Sequence, residues 1–300
     1  MAEVARRLSI APRPTDAMLT LCAAHGLVRG DAAGRWEATD VAREFLVRGA
    51  AFDARPYYAS MAERQGVSDW IRVLRTGKPA NWPGGDGEAD WHAAMRTDAF
   101  AEAFTAAMDC RGRVLAPALA EVIGRRGRRV LDVGGGSGVY AIAAVESVPG
   151  LEATVFEATP VDAIARRTIA HAGCGDRVQV VSGDLFTDPW PEEHDVHLFS
   201  NVLHDWDEPE CRRLLARSVA ALPTGGRIIV HDMFVADTKD GPLWAAEYSV
   251  LLAGVTQGRL YSVAEISAWM ADLGLVPGPR TATALGREAV AFATPEGPET

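Results

Sequence analysis

The sequence predicts an α/β protein: a Rossmann-like open sheet preceded by a smaller helical domain with a winged-helix-like hairpin. Three observations predict it. Residues 130–138 read VLDVGGGSG, an apolar run that meets an acid and then three alternating glycines. Further apolar runs beyond it end, one after another, in acidic or polar residues. The first hundred residues carry short amphipathic stretches around a Gly/Asp-rich segment instead.

Taken in order, residues 3–8, 14–25 and 39–47 read as short amphipathic helices. Residues 27–38, with Gly30, Asp31 and Gly34 between short apolar segments, read as a small hairpin. Helices followed by such a hairpin look like a winged helix. That unit is basic in DNA-binding proteins. Here the charges nearly balance, which favours packing or dimerisation. Residues 77–79 and 81–87 are turn-rich and polar, a linker that Trp82 and Trp91 either anchor or extend into a pocket. The expected domains are residues 1–90 and 91–300. A helical pattern resumes from residue 91 to 123 and is expected to break at Gly112 and Pro117. It carries a stripe that includes Phe104 and, one turn on, Met108. The tail, residues 295–300, is expected to be disordered.

The glycine turn then follows a buried parallel strand, and the apolar run at 139–145 reads as the next helix. Gly134, Gly136 and Gly138 belong where the backbone takes φ > 0 or passes close to a ligand. A dinucleotide fingerprint needs G-x-G-x-x-G and a pyrophosphate at the helix N-terminus. Here Val139 stands at the third glycine position, and Asp132 places a carboxylate at the turn. A carboxylate repels phosphate. It suits S-adenosyl-L-methionine (SAM), which carries an ammonium, a sulfonium and one carboxylate.

Later strands agree. About 20 residues beyond the glycines, a strand at 153–156 ends in Glu157, where this architecture places the acid for ribose hydroxyls. A strand at 177–181 leads into Gly183-Asp184-Leu185-Phe186. Asp184 can accept from an adenine amino group, and Leu185 and Phe186 can line the base. The run at 196–200 enters Asn201-Val202-Leu203-His204-Asp205-Trp206, and the run at 227–231 ends in Asp232. Open α/β sheets bind ligands at such carboxyl ends. One acid alone would more often be a helix cap; the series is stronger than its parts.

The motifs DVGGGSG, VFEATPV, GDLF, NVLHDWDEPEC and GGRIIVHDMF resemble those of small-molecule O-methyltransferases related to caffeic acid O-methyltransferase, in the bacterial natural-product branch. The resemblance covers nearly the whole chain. It implies a seven-stranded class I SAM methyltransferase domain behind a dimerising N-terminal domain that covers the acceptor pocket. It assigns His204 as catalytic base and Asp232 as the carboxylate that orients it. Gly134, Gly136 and Gly138 would cradle the methionine part of SAM, Glu157 the ribose, and Asp184 and Leu185 the adenine. Phe104 and Met108 would line the acceptor pocket. Two positions depart from plant members. Leu260 stands where a second acid brackets the histidine. Ser200, taken as a cofactor contact, stands where a lysine is common. Members also usually carry a helical segment ahead of the region that starts here near Ala2; either this chain is naturally short or its start is misplaced.

The implied reaction is methyl transfer to a hydroxyl of an aromatic or polyketide-like small molecule. Methylation of carbon or nitrogen, non-methylating SAM chemistry and a non-catalytic SAM-binding regulator stay open. So does a metal held by His204, Asp205, His231 and Asp232, although spacing gives those residues no converging geometry. Composition narrows the class further. A net charge of −10 disfavours nucleic acid as a partner. Apolar content is 48%, but no uninterrupted run is long enough to span a bilayer. The N-terminus lacks a secretion signal's apolar core. Cys22, Cys110, Cys174 and Cys211 are scattered, as in a cytoplasmic protein with reduced thiols. A homodimer is the expected assembly.

Overall fold

A computed structural model describes residues 1–31, 33–80, 91–124 and 127–294. The expected linker residues 81–87, with Trp82, and the tail at 295–300 lie outside them.

The chain opens with α1 (Ala2–Leu8) and α2 (Pro12–Ala24). Pro12 starts α2 where a missing N–H costs nothing. The hairpin pairs β1 (Val28–Gly30) with β2 (Trp36–Ala38) in antiparallel register. The Thr39 side chain accepts from the Ala42 amide and caps α3 (Asp40–Phe45). Next come α4 (Arg55–Ala59) and α5 (Gln65–Thr76), which ends at Gly77 with φ 70°.

After α6 (Trp91–Ala94), α7 (Asp98–Gly124) runs unbroken through both expected break points. The reason is tertiary. A Cβ on Gly112 would lie 2.4 Å from Val139, so the glycine marks close helix packing rather than a stop. Around Pro117, Leu115, Ala116, Leu119 and Ala120 are all buried, and that burial outweighs one lost backbone hydrogen bond.

The sheet domain alternates β3 (Arg129–Val133), α8 (Val139–Ser147), β4 (Glu152–Glu157), α9 (Val161–His171), β5 (Val178–Ser182) and β6 (Val196–Ser200). A 3-10 turn over Leu203–Asp205 precedes α10 (Glu208–Ala221) and β7 (Arg227–Asp232). Last come α11 (Leu243–Val255), α12 (Val263–Ala271), β8 (Val276–Ala282) and β9 (Glu288–Ala293). Among the described residues the seven-stranded sheet has the order β5-β4-β3-β6-β7-β9-β8. β3 to β7 pair in parallel; β9 is antiparallel to both its neighbours. β3 and β6 are buried along nearly their whole length, as strands covered on both faces must be. Pro277 and Pro279 sit on the edge strand β8, where a missing ladder donor is tolerated. Strand order reverses between β4 and β6, on either side of β3. That reversal opens a crevice at the carboxyl end of β3.

The described residues form two compact units. One joins the N-terminal elements with His204–Asp207 and Phe234–Val263; the other contains the sheet. No helix among the described residues is long and apolar enough to cross a membrane.

Candidate active site

The glycine turn leaves β3 in the left-handed region, with φ 64° at Gly134, 57° at Gly136 and 81° at Gly138. Only glycine holds this path without strain. It brings backbone against side chains gathered from elsewhere in the sheet unit. A Cβ at Gly134 would meet Val202 at 3.3 Å and Leu185 at 3.7 Å, so the loops after β5 and β6 both close on the turn. A Cβ at Gly135 would lie 2.6 Å from the Asp132 carboxylate. The Gly136 amide donates to Glu157 Oε2 at 3.0 Å, and the Ala158 amide donates to Oε1 at 2.8 Å.

Asp132 and Glu157 therefore face the same turn. Asp132 is 1% exposed, and its Oδ2 has no hydrogen-bond partner among the described residues. Burial pushes its pKa up to about 7, with the Glu157 charge adding to the rise. Burial also lifts Glu157 to about 7, against the pull of the Ala158 and Gly136 amides. A buried carboxyl group with an unpaired oxygen and a half-buried one beside it form a site that a cation would stabilise.

Asp184 lies on the same strand-end rim. Its Oδ1 accepts from the amides of Phe186 at 2.7 Å and Thr187 at 3.1 Å, which shapes the loop carrying Leu185. Ser200, at the end of β6, is drawn into a buried network. Its hydroxyl bonds His231 Nδ1 at 2.8 Å and accepts from Asn201 Nδ2 at 3.1 Å. Asn201 also donates to Tyr140 Oη at 3.2 Å and accepts from Arg287 Nε at 2.7 Å. His231 Nε2 pairs with Thr283 Oγ1 at 2.9 Å, so hydroxyls occupy both ring nitrogens. Burial pulls the His231 pKa down to about 4, against the opposing charge of Asp232. Among the described residues no three His, Cys, Asp or Glu side chains converge as metal ligands.

Sequence reasoning missed Tyr140, Asn201, Thr283 and Arg287. Asn201 left a trace: it takes φ 56°, a conformation asparagine tolerates better than most residues. Phe104 and Met108 lie half-buried on α7, and Phe104 stacks on Phe100 with centroids 5.9 Å apart. Asp109, next to Met108, accepts from the Ser137 hydroxyl at 2.8 Å. That bond ties α7 to the glycine turn.

His204 belongs to the first unit and Asp232 to the second. His204 is 3% exposed within its 3-10 turn. Its Nε2 is 3.8 Å from Asp205 Oδ1, and its ring packs edge-on to Tyr248 at 5.8 Å. Asp232 is buried and accepts from the Met233 amide at 2.8 Å.

The sheet order, the glycine turn and the carboxylates at successive strand ends define a class I SAM-dependent methyltransferase. The residues fit that cofactor: Gly134, Gly136 and Gly138 hold a left-handed turn, a Cβ at Gly136 would meet only open space, and Asp132 keeps an unpaired buried oxygen. A model of the O-methyltransferase domain matches residues 65–275, and the chain belongs to this family. The 3-hydroxy-5-methyl-1-naphthoate 3-O-methyltransferase of Streptomyces sahachiroi is 37% identical over 276 residues, covering 91% of this chain and 78% of that one. An O-methyltransferase family 2 protein from Planctomyces limnophilus, solved in complex with apigenin, superposes with a TM-score of 0.85 at 30% identity, over 98% of this chain and 85% of that one. An O-methyltransferase of neocarzinostatin biosynthesis, solved with SAM and 2-hydroxy-5-methyl naphthoic acid, gives a TM-score of 0.67 at 25% identity, over 93% and 84%. The enzyme is a SAM-dependent O-methyltransferase.

Proposed function

We propose that the acceptor is a phenolic hydroxyl on an aromatic or polyketide-like molecule, and that His204 removes its proton. One observation carries this reading: a buried histidine on the turn after β6, in a chain whose relatives act on or bind hydroxylated naphthoates and a flavone. SAM supplies an already activated methyl group. The protein's own contribution is to hold the acceptor in line, exclude water and take a proton. Orientation can supply up to about 7–11 kcal/mol, and general-base assistance about 10²–10⁴ in rate. An unperturbed imidazole lies near pKa 6.5 and a phenol near 10, so full transfer in water is uphill by about 5 kcal/mol. A carboxylate that stabilises imidazolium narrows that gap, and Asp232 is proposed for this role. Asp132, Glu157, Asp184, Leu185 and the glycine turn would hold SAM, while Phe104 and Met108 line the acceptor.

The N-terminal unit is proposed as a winged-helix-like dimerisation domain of a cytoplasmic enzyme of secondary metabolism. Its support is exposed apolar surface: Phe45, Phe52, Tyr57, Tyr58 and Leu251 are each more than two-fifths exposed. Light scattering across a dilution series tests this part; a strict monomer with full activity would refute it.

Incubation with SAM and a panel of hydroxynaphthoates and flavones tests the reaction. The expected product is heavier by one methylene and carries an O-methyl resonance. A C-methyl product, or SAM binding with no product from any hydroxylated aromatic, would overturn the reading.

A further inference from the structure

The first unit buries a charged side chain that the chemistry does not use. Arg13, in the first turn of α2, is 7% exposed. Its Nη1 donates to the carbonyls of Ala253 at 2.9 Å and Gly258 at 2.7 Å, and its Nη2 to that of Gly77 at 2.7 Å. Burying a guanidinium is costly unless its donors are satisfied. Here they bind three carbonyls: one at the end of α5, one near the end of α11, and one in the strap at 256–262 that follows α11. One turn along α2, Asp16 lies 3.3 Å from Lys239 and 3.5 Å from Arg259 of that strap. The Arg259 guanidinium in turn covers the Tyr261 ring at 4.3 Å.

The strap abuts the histidine turn. A Cβ on Gly258 would lie 2.1 Å from the His204 carbonyl oxygen and 2.6 Å from the Trp206 nitrogen. Those are backbone atoms, which cannot rotate aside. Gly258 has no left-handed φ, so glycine is needed here for space alone. Three residues on, Tyr261 Oη donates to the Trp206 carbonyl at 2.6 Å. The strap reads Thr-Gln-Gly-Arg-Leu-Tyr-Ser and brings no acidic side chain to the histidine. It fixes where the histidine's backbone lies.

We propose that Gly258 and Tyr261, held in place by Arg13, are positioning residues that set the His204 turn for proton removal. The inference rests on the reading of His204 as the base. Misplacing a catalytic group by about 1 Å can cost about 10²-fold in rate. The structure gives this device three separable parts: contact at Gly258, a hydrogen bond at Tyr261 and an anchor at Arg13.

The test compares Gly258→Ala, Tyr261→Phe, Arg13→Lys and His204→Ala in the full chain. Turnover is measured on a phenolic acceptor and on its more acidic fluoro- and nitro-substituted forms, with SAM affinity read by calorimetry. Gly258→Ala is expected to lower kcat by about 10²-fold. Tyr261→Phe should lower it by up to about tenfold. Arg13→Lys, which keeps the charge and loses the fork, should fall between wild type and Gly258→Ala. SAM affinity should not change in any of them. All the losses should shrink as the acceptor becomes more acidic, in parallel with His204→Ala, because an ionised phenol needs no base. If His204→Ala lowers turnover while Gly258→Ala and Tyr261→Phe do not, or if their losses are equal for every acceptor, the positioning role is wrong. If His204→Ala itself turns over normally, the base reading fails first and takes this inference with it. Should Gly258→Ala fail to fold, Tyr261→Phe removes a single oxygen and decides the matter alone.

Discussion

The glycine turn, proposed as the cofactor cradle, and the histidine turn, proposed to carry the base, are built from different kinds of chain. Asp132, the glycines and Glu157 come from one β3-α8-β4 stretch, with the loops after β5 and β6 closing on it. Its chemistry follows from local backbone: left-handed glycines, two strand-end carboxyls and amides directed at Glu157. The His204 turn is held by pieces scattered along the chain: Tyr248 on α11, Gly258 and Tyr261 on the strap, and Arg13 behind them. A cradle of this kind tunes affinity through charge. With His204 as the proposed base, a turn held by long-range packing would tune rate through placement. Substitutions in the two regions should therefore separate cleanly, one in SAM binding and the other in kcat.

The largest effect is expected at the turn. His204→Ala should lower kcat by about 10²–10⁴ with SAM affinity unchanged by calorimetry. A matching loss of SAM affinity would erase the distinction between the regions. Next comes the cradle. Glu157→Ala should weaken SAM by about 1–3 kcal/mol, through lost charge-assisted hydrogen bonds, while turnover at saturating SAM changes far less.

A third prediction uses pH. Asp132 and Glu157 are raised from ordinary carboxylate values to about 7 in the free fold. The folded state thus holds protons that the unfolded chain has released. Stability without ligand should fall as pH rises from about 4 to about 7. A cationic ligand favours the ionised carboxylates, so SAM affinity should rise over the same upper range, and the SAM-induced gain in Tm should be larger at pH 8 than at pH 6. Asp132→Asn should flatten that dependence; an unchanged profile would show that the carboxyls do not titrate with binding. The smallest effect is expected from metal removal. With both His231 nitrogens bonded to hydroxyls, chelator should leave activity unaltered, and a stoichiometric metal lost together with activity would refute that role for His231.

The same contrast explains what could be read in the sequence. β3, β4, β6 and β7 lie within a residue of their expected bounds, because strands buried on both faces leave mostly apolar runs. The left-handed glycine turn and the acids beside it are legible because alternating glycines and strand-end acids are local patterns. Helix α7 is continuous at Gly112 and Pro117, where the sequence predicts breaks, since the cause of its continuity lies in Val139 and the surrounding core. The strap left no local pattern: Gly258 has an ordinary φ, and its reason is a backbone more than fifty residues earlier in the chain. The Ser200–His231 network was hidden likewise, because Thr283 and Arg287 reach it from the loop between β8 and β9.

That loop has a temporal consequence. β9 lies between β7 and β8, although the chain makes it after both. During synthesis β3 to β7 can associate early, and through that interval β7 has an open flank. His231 Nε2 and Asn201 Oδ1 gain their partners, Thr283 and Arg287, only after those residues leave the ribosome. The glycine turn and its strand-end acids are thus made before the side chains that complete the neighbouring strand ends.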